Sequence, residues 1–307
     1  MTSFSRKIAI LKEVISKIQQ LDYSVNNVAR YNVVRQQMAQ RILECRDWGP
    51  ASGGNRDTGL IVSLTTHGNR IHAVCYAIES IFAQTWKPDR VVLFLGDKEF
   101  EGKTLPLALQ RQVERGLEIH YVEDIGPHTK LIPALKAFPE ATIITVDDDY
   151  MYSFDAVERL VRVHEAYPGA VCCASSVLMK KDQHGGLMPY RSYPFCYPDQ
   201  DELSHAFLAE GFGGALYPPH CLSEEVFNTI CMKELSPQAD DLWFKAMELL
   251  AGTPVVQMAR NRHWFNSVTK EINVQDDGLR HHNIDGGGND AQLNRLFTHY
   301  QLFDRLP

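Results

Sequence analysis

Between residues 60 and 147 short apolar runs alternate with longer segments whose apolar positions recur every three or four residues. The runs LIVSLT (60–65), RVVLFLG (90–96), LEIHYVE (117–123) and TIITVD (142–147) are apolar on both faces, as strands covered from two sides are. RIHAVCYAIESIFAQ (70–84) and LIPALKAF (131–138) carry the helical period. Together they predict βαβ units, that is, an α/β fold with a mostly parallel, Rossmann-like sheet flanked by helices. A further helix is predicted over 154–167 and a strand over 170–177. Residues 180–220, rich in Gly, Pro, Tyr and His, are expected to form an inserted loop that shapes a substrate. Near the start, Leu11, Val14, Ile18, Leu21, Val25 and Val28 step by three and four, which predicts an amphipathic helix. Such a helix packs on its own domain, associates with a second copy to form a homo-oligomer, or lies at a membrane edge. The stretch RDWGPASGGNRDTG (46–59) has the composition of a linker. The expected organisation is therefore an N-terminal helical segment over 1–47, a linker over 48–59 and one domain over 60–307, with halves 60–150 and 151–307.

Composition narrows the class. A chain of 307 residues with 44% hydrophobic and 22% charged content can bury a large core. Its net charge of −7 argues against nucleic acid as the partner, since phosphate binding calls for a basic surface. The seven cysteines form no C-x-x-C pair and are odd in number, which fits reduced thiols in a cytoplasmic protein. No apolar run reaches the roughly 20 residues that span a bilayer. The expected location is the cytoplasm, with peripheral contact at the inner membrane face as the reading the N-terminal helix leaves open.

The stretch TIITVDDDYMY (142–152) ends a buried strand on Asp147, Asp148 and Asp149. Like charges that close repel, and burying them costs several kcal/mol unless a cation or donors satisfy them. A cluster of this kind suits Mg²⁺ or Mn²⁺, which prefer oxygen ligands and bridge carboxylates to phosphates; a capping or turn cluster is the alternative. Asp240 and Asp241 open the helix DDLWFKAMELL, where the helix dipole alone favours acids. Gly211, Gly213 and Gly214 surround Phe212 in a run that allows a close backbone approach, a tight turn or a bulge. Trp243 and Phe244 offer a sugar-stacking face or core packing. In HHNIDGGGND, His281, His282, Asp285 and Asp290 flank a Gly run.

Taken in order, IVSLTTHGNRIHAVCYAIESIFAQTWKPDRVVLFLGDKEF, HTKLIPALKAFPEATIITVDDDYMY, GFGGALYPP, ADDLWFKAMELLAGTPV and GGGNDAQL resemble a bacterial family of GT-A-fold glycosyltransferases, similar to the family-two enzymes of surface-polysaccharide synthesis. The resemblance spans roughly residues 60 to 300 and leaves the N-terminal helix outside it. It implies a GT-A-like fold whose first half binds nucleotide and whose second half, with the C-terminal tail, receives the acceptor. It implies a metal-dependent hexosyltransferase taking a sugar from a nucleoside diphosphate donor, uridine-based, to a glycan or lipid-linked acceptor. Thr65, Thr66, Arg70, Asp97, Lys130, Asp147 and Asp148 would then meet the donor. Asp147, Asp149 and His282 would hold the metal. Asp241 would be the general base of an inverting displacement, with Asp240 capping the helix beside it. The family's polymer-extruding synthases carry Gln-x-x-Arg-Trp, and here QMARN (257–261) lacks the Trp, so single-sugar addition is favoured. The rival readings are a sugar-nucleotide pyrophosphorylase, against which TTHGNR has only one Gly, a non-catalytic glycan-binding or assembly subunit, and a phosphohydrolase built on the triplet.

Overall fold

The computed structural model describes residues 28–51, 59–259, 268–270 and 287–307. In chain order the helices are α1 (28–44), α2 (Val74–Phe82), α3 (Asp97–Phe100), α4 (Leu107–Val113), α5 (Ile132–Ala137), α6 (Ala156–Ala166), α7 (Thr229–Leu235), α8 (Asp240–Ala251) and α9 (Gly288–Tyr300). The strands are β1 (Leu60–Thr66), β2 (Arg90–Gly96), β3 (Leu117–Val122), β4 (Thr142–Thr145), β5 (Tyr150–Tyr152), β6 (Val171–Cys173), β7 (Ser176–Leu178), β8 (Glu202–Ser204), β9 (Phe207–Ala209), β10 (Ala215–Tyr217), β11 (Val255–Gln257) and β12 (Val268–Lys270).

Eight strands form one sheet in the order β3-β2-β1-β4-β10-β6-β11-β8. The first four are parallel, and β11 is parallel to β6, whereas β10 runs antiparallel to β4 and β6 and β8 antiparallel to β11. The expected α/β architecture, a mostly parallel sheet flanked by helices, is therefore present. Strand alternation explains how both faces are covered: Val92 and Phe94 of β2 join one cluster, while Val91, Leu93 and Leu95 join the other. Residues of α5, α8 and α9 build the first cluster, and residues of α2, α4 and α6 build the second.

Two expectations change. The run 170–177 is two short strands in different sheets, because the chain leaves the central sheet after Cys173 and pairs β7 with β9. The segment 180–220 is more than a loop, since β10 sits in the middle of the main sheet. Its three residues, Ala215, Leu216 and Tyr217, are too few to show a period amid Gly and Pro.

The apolar stripe proposed over Leu11 to Val28 lies, except for Val28, outside the described residues. The helix that follows it, α1, packs on the domain: Tyr31 and Met38 cluster with Met151, and Ile42 joins the second core. A polar anchor adds to this contact. Glu79 of α2 is fully buried and accepts from Arg115 Nη1 and Nη2 at 2.8 and 3.1 Å, from Arg41 Nε at 3.1 Å and from Gln112 Nε2 at 3.2 Å. Arg115 Nε also donates to the carbonyl of Asp47 at 3.0 Å, and the amide of Gly49 donates to the carbonyl of Arg115 at 2.9 Å. One carboxylate thus ties α1 and the segment after it to α2 and α4.

Removing one partner of such a buried pair leaves the other charge unbalanced, at a cost of about 3–5 kcal/mol. Glu79→Ala should destabilise the fold by that order. Arg41→Ala, at a side chain one-third exposed, should cost no more than about 1 kcal/mol. Urea denaturation midpoints separate the two, and equal losses would mean that Arg115 is not the principal partner.

Candidate functional site

β2 and β3 follow β1 to one side of the sheet, while β4 pairs with the other edge of β1. This reversal of strand order opens a crevice at the carboxyl ends of β1 and β4. Thr66, the last residue of β1, and Asp148, just past β4, meet across it: the hydroxyl donates to Asp148 Oδ2 at 2.6 Å.

A single turn of 3₁₀ helix, Gly68–His72, follows β1 and brings Arg70 over the same crevice. One nitrogen of its guanidinium, Nη2, reaches Asp148 Oδ1 at 2.5 Å and Asp149 Oδ2 at 3.0 Å. Burial pushes the Asp148 carboxyl up to about 7, against the opposing pull of Arg70 and Thr66.

Asp147 turns to a different cation. The 3₁₀ turn Gly126–Lys130 ends beneath β1, where Ser63 Oγ donates to the carbonyl of Lys130 at 2.6 Å. The Lys130 ammonium is buried, 2.7 Å from Asp147 Oδ1 and 2.9 Å from Asp240 Oδ2. Burial alone would discharge it, but Asp147, Asp240 and Asp241 outweigh that penalty and hold its pKa well above the ordinary value. One lysine therefore joins the triplet after β4 to the acidic pair that opens α8.

The two members of that pair are driven apart. Burial raises Asp240, yet the Lys130 ammonium outweighs it and keeps the carboxyl below its usual range. Asp241 is pushed well up, first by burial and then by the neighbouring charge of Asp240. The backbone N–H of Gly211 donates to both Asp241 oxygens, at 3.2 and 3.3 Å. A Cβ at position 211 would stand 2.6 Å from Lys130 Nζ and 3.1 Å from Asp241 Oδ1, so a side chain there would push the ammonium away from its carboxylates. Gly214, at φ +90°, then turns the chain into β10.

Three further side chains complete the site, and none shows in a local motif. The Tyr152 phenol accepts from the Asp147 amide at 2.9 Å and donates to the carbonyl of Phe212 at 3.1 Å, linking the triplet to the glycine turn. Glu210 accepts from Ser175 Oγ at 3.0 Å and, more loosely, from the Tyr190 hydroxyl at 3.5 Å, and burial raises it to about 7. His128, two residues before Lys130, is pushed down to about 4 by burial and stays neutral. The only sequence cues were positional: Tyr152 follows the triplet, and Glu210 precedes the glycines.

The remaining expected residues are placed as follows. Thr65 donates to the carbonyl of Phe94 on β2 at 2.9 Å. Asp97 opens α3 at the carboxyl end of β2, and its Oδ1 accepts from the Lys98 amide at 2.6 Å. Trp243 and Phe244, on the inner face of α8, are both fully buried core residues, so neither offers a stacking face for a sugar. Asp290 accepts from the Tyr190 amide at 2.6 Å and so ties α9 to the 180–220 segment. His281, His282 and Asp285 lie outside the described residues, as does Arg260. Among the described residues no three His, Cys, Asp or Glu side chains converge on one point. The donor set at the crevice is nevertheless oxygen only, three carboxylates and the Thr66 hydroxyl, which by chemistry fits a hard divalent cation.

No protein-family model matches the chain, and no curated protein matches it in sequence. Solved structures do. A mannosyltransferase from Pyrobaculum calidifontis in complex with GDP-Man and Mn²⁺ is 13% identical with a TM-score of 0.40, over 78% of this chain and 65% of that one. Residues 1–349 of TarS from S. aureus in complex with UDP are 15% identical with a TM-score of 0.42, over 67% of this chain and 62% of that one. The chain thus spans about three fifths of the length of these structures, and no residue assignment passes from them to it. No helix among the described residues is long and apolar enough to cross a membrane.

Glu210 supplies a pH signature. Its folded pKa of about 7 stands above the ordinary 4.5, so over that interval the folded state keeps a proton the unfolded chain has released. Its contribution to stability is full below the lower value and is lost as pH rises through the upper one, at about 1.4 kcal/mol per pH unit. Glu210→Gln should remove that component. Urea titrations from about pH 5 to about pH 7 should show a gap between wild type and variant that changes with pH; a constant gap would place the folded pKa near its ordinary value.

Proposed function

We propose that the chain is a GT-A-type glycosyltransferase that moves a sugar from a nucleoside diphosphate donor onto a hydroxyl of a glycan or lipid-linked glycan, in surface-polysaccharide synthesis. The observation that carries this reading is the pair of carboxylate sets on either side of Lys130, one able to deal with a charged leaving group and the other with a proton. At the crevice, Thr66 and Arg70 offer a hydroxyl and a guanidinium beside the strand-end aspartates. Thr65 and Asp97 stand at the carboxyl ends of β1 and β2, where a base and ribose would lie. Asp147 and Asp149, with His282 as a third ligand, would hold a divalent cation, which when bound neutralises charge on a diphosphate.

Asp241 has the properties a base needs. Burial and the neighbouring charge of Asp240 raise its proton affinity above that of an ordinary carboxylate, and the Gly211 amide fixes its orientation. In the proposed step the acceptor oxygen forms a bond to the anomeric carbon as the bond from that carbon to the diphosphate breaks, and Asp241 takes the hydroxyl proton. Attack opposite the leaving group inverts the anomeric centre. Asp240 keeps its charge against Lys130, which holds the first turn of α8 to the crevice and keeps the two carboxylates from competing for one proton. Glu210 and Tyr190, behind the glycine turn, would meet hydroxyls of the sugar or acceptor.

Asp241→Asn keeps the shape of the side chain but cannot take the proton. Turnover should fall about 10²–10⁴-fold, with donor affinity nearly unchanged. Incubating UDP- and GDP-sugars with candidate glycan acceptors, and following nucleotide release with and without acceptor, gives the measurement. Near wild-type transfer by the Asn variant would remove Asp241 from the role. Absence of nucleotide binding by the wild-type chain would remove the transferase reading altogether, in favour of a non-catalytic subunit.

A further inference from the structure

We propose that Arg70 is a displaceable counter-cation: it neutralises Asp148 and Asp149, and it is released toward a donor diphosphate when Asp149, together with Asp147, takes up a divalent cation. This deepens the reading of the same site and rests on it for the diphosphate alone.

Three observations support the assignment. The closest approach of Arg70 to each of the two carboxylates is made by the same nitrogen, Nη2. A guanidinium built into a permanent ion pair ordinarily spends two parallel donors on one carboxylate. Its Nε is buried with no hydrogen-bond partner among the described residues, so a donor on the planar edge that binds anions bidentately is left unspent in an enclosed position. And Arg70 lies on a single 3₁₀ turn beside the strand end, so that its side chain alone, rather than a helix, has to move.

The energetic consequence is mutual reinforcement. A divalent cation arriving alone has to displace a guanidinium from contacts of 2.5 and 3.0 Å. A diphosphate arriving alone meets three carboxylates, and the nearest arginine is already engaged by two of them. Together the ligands remove each other's obstacle: the cation takes over the carboxylates, and the freed guanidinium presents its planar edge to phosphate oxygens. Because coupling is reciprocal, the factor by which diphosphate strengthens cation binding equals the factor by which the cation strengthens diphosphate binding. Lys130 is excluded from this exchange, since it is clamped between Asp147 and Asp240 and roofed by Gly211.

The experiment is isothermal titration of the full chain with Mn²⁺ alone, with UDP or GDP alone, and with each in the presence of the other, for wild type, Arg70→Met and Arg70→Lys. For wild type, Mn²⁺ alone should bind weakly, and saturating nucleotide should tighten it by a factor of about 5–150. In Arg70→Met, Mn²⁺ alone should bind about tenfold tighter, a factor within the usual span of such couplings, while the nucleotide-dependent gain shrinks. Unchanged or weaker Mn²⁺ binding by this variant overturns the proposal. If Arg70→Met does not fold by circular dichroism, Arg70→Lys tests the other arm: it keeps the counter-charge but not the planar fork, so Mn²⁺ alone should bind as in wild type while the nucleotide gain falls, and an undiminished nucleotide gain overturns the proposal. Failure of wild type to bind either nucleotide under any condition would sink the transferase reading, and the Mn²⁺-only titrations would still decide the role of Arg70.

Discussion

The site is organised around one ammonium. Lys130 touches both the strand-end triplet and the first turn of α8, and it does so from a buried position beside Gly211. A buried charge is tolerated only when it is paired, and here the pairing also does geometric work. It sets the distance between the strand-end triplet and the acidic pair that opens α8. Gly211 follows from the same constraint, because a larger residue would occupy the space of Lys130 Nζ. Ser63, in the middle of β1, contributes its hydroxyl to the Lys130 carbonyl and so registers the whole arrangement against the central strand.

Around that lysine the carboxylates are differentiated by what faces them. Asp240 faces the ammonium and stays charged; Asp241, one residue on, faces a backbone amide and the charge of its neighbour, and holds its proton more tightly. Asp148 and Asp149 face Arg70, and Asp147 faces Lys130. Identical side chains adjacent in sequence thus come to differ in proton affinity through packing alone.

Much of this was legible in the sequence where charge contradicted packing. Three aspartates after an apolar strand have no reason to be there unless something neutralises them, and the alternation of runs before them indicates a sheet whose carboxyl ends carry the site. The identity of the neutralising groups was not legible. Lys130 meets Asp147 across 17 residues and Asp240 from a different helix much further along the chain, and contacts of that kind are fixed by the tertiary arrangement. Tyr152, Glu210 and Ser175 carry ordinary residue types without a motif, so only their burial distinguishes them. Trp243 and Phe244 left two readings open, since an aromatic side chain suits a core and a sugar face equally, and the helix turned both inward. The strand β10 was hidden by brevity.

That strand has a consequence for how the chain is made. Thr145 of β4 bonds to Ala215 of β10 across 70 residues, and until β10 arrives one side of β4 has no partner. A nascent chain that has emerged only as far as α6 therefore carries a parallel sheet with a bare apolar edge, the kind of surface that recruits a strand from a neighbouring molecule. Because β10 runs antiparallel, it closes that edge and delivers the Glu210–Gly214 turn to the crevice in the same movement. In the folded chain, one strand of three residues thus both covers that edge and sets the turn beside the crevice.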